Sequence, residues 1–509
     1  MQRPKEGKVY LVGAGPGDIG LITVKGLNCI RESDVVVYDN LANERFLKEM
    51  KKGAKKIYVG KKIGNHILSQ EEINKLLVEN AKKGKIITRL KGGDPFIFGR
   101  GGEEALYLRK NGIQFEVISG VTSAISAPTY AGIPITHRGL SSSIAIVTGH
   151  EDPKKEFSQV KWDKIASCFD TLIILMGMKN ISFITEILMK NGLSPEKETA
   201  VIQWGSTPSQ KTVTGKLKDI SAIAEKSGLD SPSVIVIGDV VSLRDELKWF
   251  EKKPLFGKRI LITRPENQTA EISNLLLNEG ADVIEFPLIK TVFPYTWKFL
   301  DKAINNVEKY DWIIFTSVNG VKYFFHRFFK ITKDIRSLGG VKICAIGSAT
   351  AKMIKDFHLN VEMVPRRFTS SAIIKEFSKM KWIKNKRFLL PRANIGGESL
   401  PQGLKKLGCQ VDEIEVYRTL PVKRYNSDYV EMIKNGKVNI ITFTSSSTVR
   451  SFMEMAKKYN VLGSLSNLSV VSIGPETSKT AREYGLTVAS EAKISNVSGL
   501  FEAIMSLDD

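Results

Sequence analysis

The second half of the chain repeats itself, and that constrains its fold more than any other feature. KRILITRP from Lys258 returns as KRFLLPRA from Lys386, 128 residues on. IIFTS from Ile313 returns as ITFTS from Ile441 at the same spacing, and AIGSAT from Ala345 returns as SIGPET from Ser472, one residue closer. Three segments recurring in one order define two related lobes of about 120 residues each. Each segment is a short apolar run that ends in Ser, Thr, Gly or Pro and leads into a helix-like stretch. That alternation predicts a parallel, doubly wound α/β sheet in each lobe. Such sheets bind ligands at the carboxyl ends of their strands. Those ends carry Thr316, Ser317, Ser348, Thr350, Thr444 to Ser447, Gly474 and Thr477. Hydroxyls and free N–H groups at helix starts suit carboxylates or phosphates; helix capping is the other use of Ser and Thr there.

The first half alternates as well. VYLVG, VVVYD, KIIT, FEVI, SIAIVTG, TLIILMG and SVIVIG read as strands with helical stretches between most of them. The expected layout is a domain over 1–250, with subdomains of about 1–132 and 133–250 meeting near Gly132-Ile-Pro-Ile. EKKPLFG (251–257) reads as a linker, and RILIT then opens a second domain, 258–509. The 509 residues amount to about three domain-sized units.

No stretch of 18 apolar residues occurs, so no membrane-spanning helix is expected. MQRPKEGKVYLVGAG lacks an apolar core with a cleavage site, so export is not expected and a cytoplasmic location is. Cys29, Cys168, Cys344 and Cys409 lie far apart, which fits a reducing compartment and offers no metal-binding pair. The net charge of +21 is spread over both halves, +9 in residues 1–253 and +12 beyond. A basic surface, a nucleic-acid binder and an enzyme for polyanions all fit that charge. No aromatic-interleaved basic stripe favours nucleic acid.

GAGPGD (Gly13 to Asp18) follows the strand VYLV and loosely fits a dinucleotide turn, with Asp39 about twenty residues on. Pro16 inside the turn and Asp18 in place of a third glycine weaken the nicotinamide reading. LKGGDPFIFGRGGEEA (Leu90 to Ala105) is more specific. Gly92 and Gly93 let backbone approach a ligand, and Asp94 can accept hydrogen bonds from a ribose or amino group. Thr122 and Ser123 stand at a strand-to-helix turn, Met176 at a strand end and Gly205 in a further loop.

These segments, with VVVYDNL, VGKKIGNH, ISGVTSA, GIPITHRG, TLIILMGMKN and PSVIVIGDVV, make residues 1 to about 245 resemble uroporphyrinogen-III C-methyltransferase of the tetrapyrrole methylase family. The resemblance implies a two-subdomain methylase fold, S-adenosylmethionine as methyl donor with S-adenosylhomocysteine as product, and a homodimer through this domain. It implies cofactor contacts from Pro16, Gly92, Gly93, Asp94, Ile97, Thr122, Ser123, Met176 and Gly205. It places Asp39 as general base and Lys61 as general acid. Asp39 has a second reading as a strand-end carboxylate that caps a turn, and Lys61 as a holder of a substrate carboxylate. Arg89, Arg100 and Arg138 are further candidates to grip substrate carboxylates bidentately. Asn40 follows Asp39 where many relatives have Arg.

Residues 257–509 resemble uroporphyrinogen-III synthase, on the doubled lobe, FTSVNGV, AIGSATA, EVYRT, FTSSSTV and SIGPETS. The resemblance implies two flavodoxin-like lobes joined by two strands, 258–290 with 421–509 and 292–417. It assigns Tyr417 to assisting departure of a hydroxyl group, against a structural role on the connecting strand. Thr316, Ser317, Ser348, Thr444 and Ser445 would bind substrate. The product of one half would be the substrate of the other, a tetrapyrrole with eight carboxylates. The expected enzyme closes hydroxymethylbilane to uroporphyrinogen III and methylates it twice, to precorrin-2 for siroheme or corrinoid synthesis. The competing reading is a methylase of a later corrin intermediate with a non-catalytic, ligand-binding second half.

Overall fold

The computed structural model describes residues 7–60, 68–150, 160–265, 268–380 and 382–507. They fall into two compact units, residues 1–257 and 258–509. Both are mixed α/β.

Unit one holds two five-stranded sheets. The first comprises β1 (Lys8–Gly13), β2 (Val35–Tyr38), β3 (Lys55–Tyr58), β4 (Ile86–Lys91) and β5 (Gln114–Ile118), in the order β3-β2-β4-β1-β5 and parallel throughout. All four residues of β2 are buried, as a sheet covered on both faces requires. Alternate side chains serve two cores. Val9, Leu11, Val35 and Val37 pack with Leu77 on one face, and Val12, Val36 and Tyr38 pack with Ile30 and Phe46 on the other. The chain leaves β1 toward one edge and β4 toward the other. Their carboxyl ends therefore flank a crevice where strand order reverses.

The second sheet comprises β6 (Ile144–Thr148), β7 (Thr171–Leu175), β8 (Glu198–Gln203), β9 (Lys211–Lys216) and β10 (Ser233–Ile237), in the order β6-β7-β10-β8-β9. Only β6 and β7 run parallel; the other pairs are antiparallel. β3, β8 and β9 are strands beyond those read from the sequence. β3 and β9 are edge strands rich in lysine, which blunts edges and hides the apolar signal. The helix Ser123–Tyr130 packs through Ala124 and Ala127 on Ile173, Ala200 and Val236 of the second sheet. The change of sheet thus precedes Ser123, rather than falling at Gly132.

The expected linker is a packed part of unit one. Glu251 accepts from Gln210 Nε2 and Thr212 Oγ1, both at 2.8 Å, and from Arg244 at 2.5 Å. Leu255 is fully buried, and Phe250 stacks edge-on against Tyr130 and Phe256.

Unit two also holds two sheets. Its strands are β11 (Arg259–Ile262), β12 (Asp282–Glu285), β13 (Ile289–Val292), β14 (Trp312–Phe315), β15 (Lys342–Ala345), β16 (Arg387–Ala393), β17 (Gln410–Pro421), β18 (Ile440–Phe443), β19 (Ser469–Ser472) and β20 (Val488–Glu491). The orders are β12-β11-β18-β19-β20 and β13-β17-β16-β14-β15. The first sheet is parallel throughout. The repeat is crossed between them: β11 pairs with β18 of the second copy, and β16 pairs with β14 of the first. The second sheet has one antiparallel edge, β13 on β17. These strands carry the chain between the sheets in opposite directions, which sets their antiparallel sense.

Candidate functional site

Three glycine-rich turns meet at the crevice of unit one. Gly15 and Gly93 form a two-way bridge, with N–H to O distances of 3.2 and 2.8 Å. A Cβ on Gly13 would fall 2.5 Å from Gly120 N and 2.6 Å from Gly93 O, so only glycine permits this backbone contact. The same point on Gly93, whose φ is +68°, lies 3.8 Å from Thr122 and Ser123 backbone atoms. The turns after β1, β4 and β5 thereby form one wall. Asp94 is fixed in it, accepting from Phe96 N at 2.7 Å and Gly120 N at 3.0 Å. Each of its oxygens keeps a lone pair for a ligand. Thr122 accepts from Ala124 N and starts the helix with Ser123.

The remaining residues implied as cofactor contacts sit on neighbouring loops. Pro16 is half-buried within the first turn. Ile97 is exposed between Phe96 and Phe98. Met176 directly follows β7 with φ +56°, and Trp204 and Ser206 flank Gly205 with φ of +50° and +64°. All three are non-glycine residues in the left-handed region, a strained conformation that the surrounding structure must hold. Gly205 packs on Ala127, and Gly17 faces Thr207. Asp18 is absorbed by structure: it accepts from Gly20 N and from Tyr130 Oη, both at 2.7 Å. Burial, and then that bond, raise the Tyr130 pKa.

Asp39 stands at the carboxyl end of β2, partly exposed. It accepts from Leu41 N at 3.1 Å and from Arg89 Nη2 at 2.9 Å. It therefore caps a turn and also faces a buried guanidinium. Arg89 requires a correction. Its side chain is 4% exposed and bonds Asp39, Glu104 and the Leu90 carbonyl. It is an internal positioning group, not a free clamp for substrate. Arg100 forks onto Glu103 at 2.9 and 2.7 Å, and Arg138 is exposed. Lys61 lies outside the described residues.

A buried network that the motifs gave no reason to single out lies beneath this site. Glu104, fully buried, accepts from Arg89, Lys91 and Gln70. Burial, then Arg89, lowers the Lys91 pKa, against the pull of Glu104.

Unit two contains a cavity of about 430 Å³. Thr316, Ser317, Thr444, Ser445 and Tyr417 line it together; Ser348, exposed at the start of its helix, does not. Ser348 is thus corrected to a helix-start residue. Tyr417 is positioned by a bulge. Arg392 pairs with Glu415 but Ala393 with Tyr417, so Val416 is the extra residue. The Tyr417 ring stacks on Tyr323, and its hydroxyl lies 3.1 Å from Ser317 Oγ. Burial raises its pKa. Arg264 and Arg392 also line the cavity. The sequence held a signal for them, because both occupy the same place in the repeat.

Among the described residues, no helix is long and apolar enough to cross a membrane, and no cluster of His, Cys, Asp and Glu could hold a metal.

Two α/β units, each with a candidate site at the carboxyl ends of its strands, fit the pattern of an enzyme with two sites. Residues 8–221 match the tetrapyrrole (corrin/porphyrin) methylases, and residues 270–502 match uroporphyrinogen-III synthase HemD. The porphyrin biosynthesis protein HemD of Ruminiclostridium josui is 36% identical over 496 residues, covering 97% of each chain. The S-adenosyl-L-methionine-dependent uroporphyrinogen III methyltransferase of Methanosarcina barkeri (strain Fusaro / DSM 804) is 48% identical over 47% of this chain and 94% of its own. The crystal structure of uroporphyrin-III C-methyl transferase from Thermus thermophilus, complexed with S-adenyl homocysteine, is 38% identical over 46% of this chain and 99% of that one, with a TM-score of 0.40. The chain belongs to the tetrapyrrole methylase family through its first half and to the uroporphyrinogen-III synthase family through its second.

Proposed function

We propose that the chain closes hydroxymethylbilane to uroporphyrinogen III in its second unit and methylates that product twice in its first, giving precorrin-2 for siroheme or corrinoid synthesis. The observation that carries this reading is that both halves are present in one chain, each with family membership and a site of fitting chemistry. In the second unit, Tyr417 keeps its proton because burial disfavours the phenolate. It serves as a donor to the departing hydroxyl of the bilane. Ser317 orients that phenol, and the strand-end hydroxyls of Thr316, Thr444 and Ser445 hold carboxylates.

In the first unit the residues fit S-adenosylmethionine. Gly13 and Gly120 lock the turns together, Gly93 leaves open space beside Thr122 and Ser123 for a ligand, and Asp94 offers a fixed carboxylate to a ribose or amino group. The cofactor, when bound, supplies an electrophilic methyl group. Positioning of two reactants is the main demand, which Pro16, Gly92, Thr122, Ser123, Ile97, Met176 and Gly205 meet on the cofactor side. Asp39, oriented by Arg89, takes the proton that leaves the methylated ring. Arg100 and Arg138 hold substrate carboxylates, and Lys61 serves as the acid.

The unit folds are a two-subdomain methylase and two flavodoxin-like lobes, the latter formed by 258–290 with 421–509 and by 292–417. The protein works in the cytoplasm as a homodimer through the methylase unit. Incubation with hydroxymethylbilane tests the reading. Type III uroporphyrinogen without S-adenosylmethionine, and a gain of two methyl groups with it, are expected. Only the spontaneous type I isomer, or no methyl gain on supplied uroporphyrinogen III, overturns the corresponding half.

A further inference from the structure

The repeat places an arginine at one equivalent point in each copy, Arg264 after β11 and Arg392 in β16. Around both run the other repeat-related pairs that line the cavity: Thr316 with Thr444, and Ser317 with Ser445. Because β11 pairs with β18 and β16 with β14, Arg264 shares its sheet with Thr444 and Ser445, and Arg392 with Thr316 and Ser317. The lining is thus doubled, and the two arginines break the symmetry.

Arg392 is mostly held by the protein, with only its buried Nε left without a partner among the described residues. Its Nη1 donates to Glu413 Oε2 at 3.1 Å and its Nη2 to the Gly397 carbonyl at 2.7 Å. Its guanidinium lies so close to Gly396 that a Cβ there would collide with it. Arg264 is different. Its Nε and Nη1 are buried and have no hydrogen-bond partner among the described residues. Burial lowers its pKa from the usual arginine value, against the pull of Glu271. A guanidinium does not shed its proton in a protein, so it cannot escape the cost of burial by neutralising. That cost is relieved only by an acceptor. The group lines a cavity, and a carboxylate entering it matches the planar fork.

Resting on the synthase reading, we propose that Arg264 binds one carboxylate side chain of the linear bilane, and so determines which part of the substrate lies beside Tyr417. The anchor stands on one sheet and the phenol on the other, since Tyr417 bonds Ser317 and pairs with Ala393. Arg392, tied by both Nη1 and Nη2 to Glu413 and Gly397, holds its own loop in place instead.

The test uses the full chain with hydroxymethylbilane. Wild-type protein yields the type III isomer; if it yields only type I, the synthase reading itself falls and takes the proposal with it. With wild type active, Arg264→Gln raises KM about 10- to 100-fold while kcat changes less than about threefold. Arg264→Lys recovers part of the loss. The melting temperature of Arg264→Gln equals or exceeds that of wild type, since an unpartnered buried charge has been removed. Arg392→Gln, which breaks internal bonds, melts lower. An Arg264→Gln protein with wild-type KM, or one that melts well below wild type with kcat falling as much as KM rises, overturns the assignment and leaves the synthase reading standing.

Discussion

Arg89 Nη2 donates to Asp39 Oδ2 at 2.9 Å, and the same guanidinium reaches Glu104 Oε1 from Nε at 3.3 Å. One buried cation therefore ties the carboxylate at the mouth of the crevice to a carboxylate in the core. Asp39→Asn keeps an oxygen for Arg89 but removes the basic group. Methyl transfer should fall about 10²- to 10⁴-fold, with affinity for S-adenosylhomocysteine unchanged. Single-turnover rates and calorimetric titration measure the two separately; unchanged turnover removes Asp39 as base.

Glu104→Gln tests the buried end of that chain. The substitution leaves Arg89 and Lys91 in the core with less negative charge to face. Breaking a buried ionic group on one side costs about 3–5 kcal/mol, which urea unfolding should report. A loss below about 1 kcal/mol, the range of ordinary surface substitutions, would mean that Lys91 neutralises and the network relaxes.

The glycine wall gives a third expectation. A methyl group on Gly120 meets Gly93 O and the Gly13 backbone, neither of which can swing aside. Gly120→Ala should abolish S-adenosylhomocysteine binding and lower the melting temperature. Gly102, early in the helix Gly101–Lys110, has nothing within 4 Å of its Cβ position. Gly102→Ala should therefore raise stability by about 0.5–1 kcal/mol and leave binding intact. If both variants bind alike, the close approach is not what shapes the site.

Much of this was legible because turn chemistry and repeats survive in a linear pattern. Gly13, Gly92 and Gly93 are needed where backbones touch, so their spacing reports the contact. Thr316 with Thr444 and Ser317 with Ser445 report a doubled cavity. Arg264 and Arg392 were visible in the same repeat, yet only the hydrogen bonds of the fold distinguish the arginine tied to Glu413 and Gly397 from the one with Nε and Nη1 unpartnered. Arg89 misled because a bidentate donor in a motif looks the same whether it faces substrate or Glu104. Lys91 and Glu104 lie thirteen residues apart on a strand and a helix, a pairing that no local period encodes. β9 escaped notice because an edge strand needs little apolar signal.

Acid stability should depend visibly on Glu116. Lys25 and Lys8 both bond its carboxylate, the latter at 2.8 Å, and draw its pKa down to about 2. A carboxyl group with a depressed folded pKa contributes stability above its unfolded value, near 4.3. That contribution fades as pH falls toward 2. The group is one-third exposed, so solvent limits the effect to about 1 kcal/mol or less at neutral pH. Glu116→Gln should therefore unfold with a shallower loss of stability between pH 4.5 and 2 than wild type. Identical acid profiles would show that the pair adds nothing.

Tyr417 allows the phenol's proton to be tested apart from its ring. The ring stacks on Tyr323 with centroids 5.3 Å apart and belongs to the core formed with Phe315, Phe324 and Leu389. Tyr417→Phe keeps that packing and loses only the hydroxyl and its contact with Ser317. The melting temperature should stay close to wild type, because removing an O–H from one neutral hydrogen bond costs only about 1 kcal/mol. If the hydroxyl donates to the departing group, kcat for closing hydroxymethylbilane should fall about 10²-fold or more while KM holds, because carboxylates and not the phenol anchor the substrate. The pH profile adds a second reading. Burial raises the Tyr417 pKa above its usual 10, so its proton stays through the neutral and mildly alkaline range. No alkaline fall in wild-type kcat below about pH 10 should then trace to this group. A Tyr417→Phe enzyme with wild-type kcat would leave the tyrosine as a packing residue that aligns Ser317, and Ser317→Ala would then be the variant that loses activity.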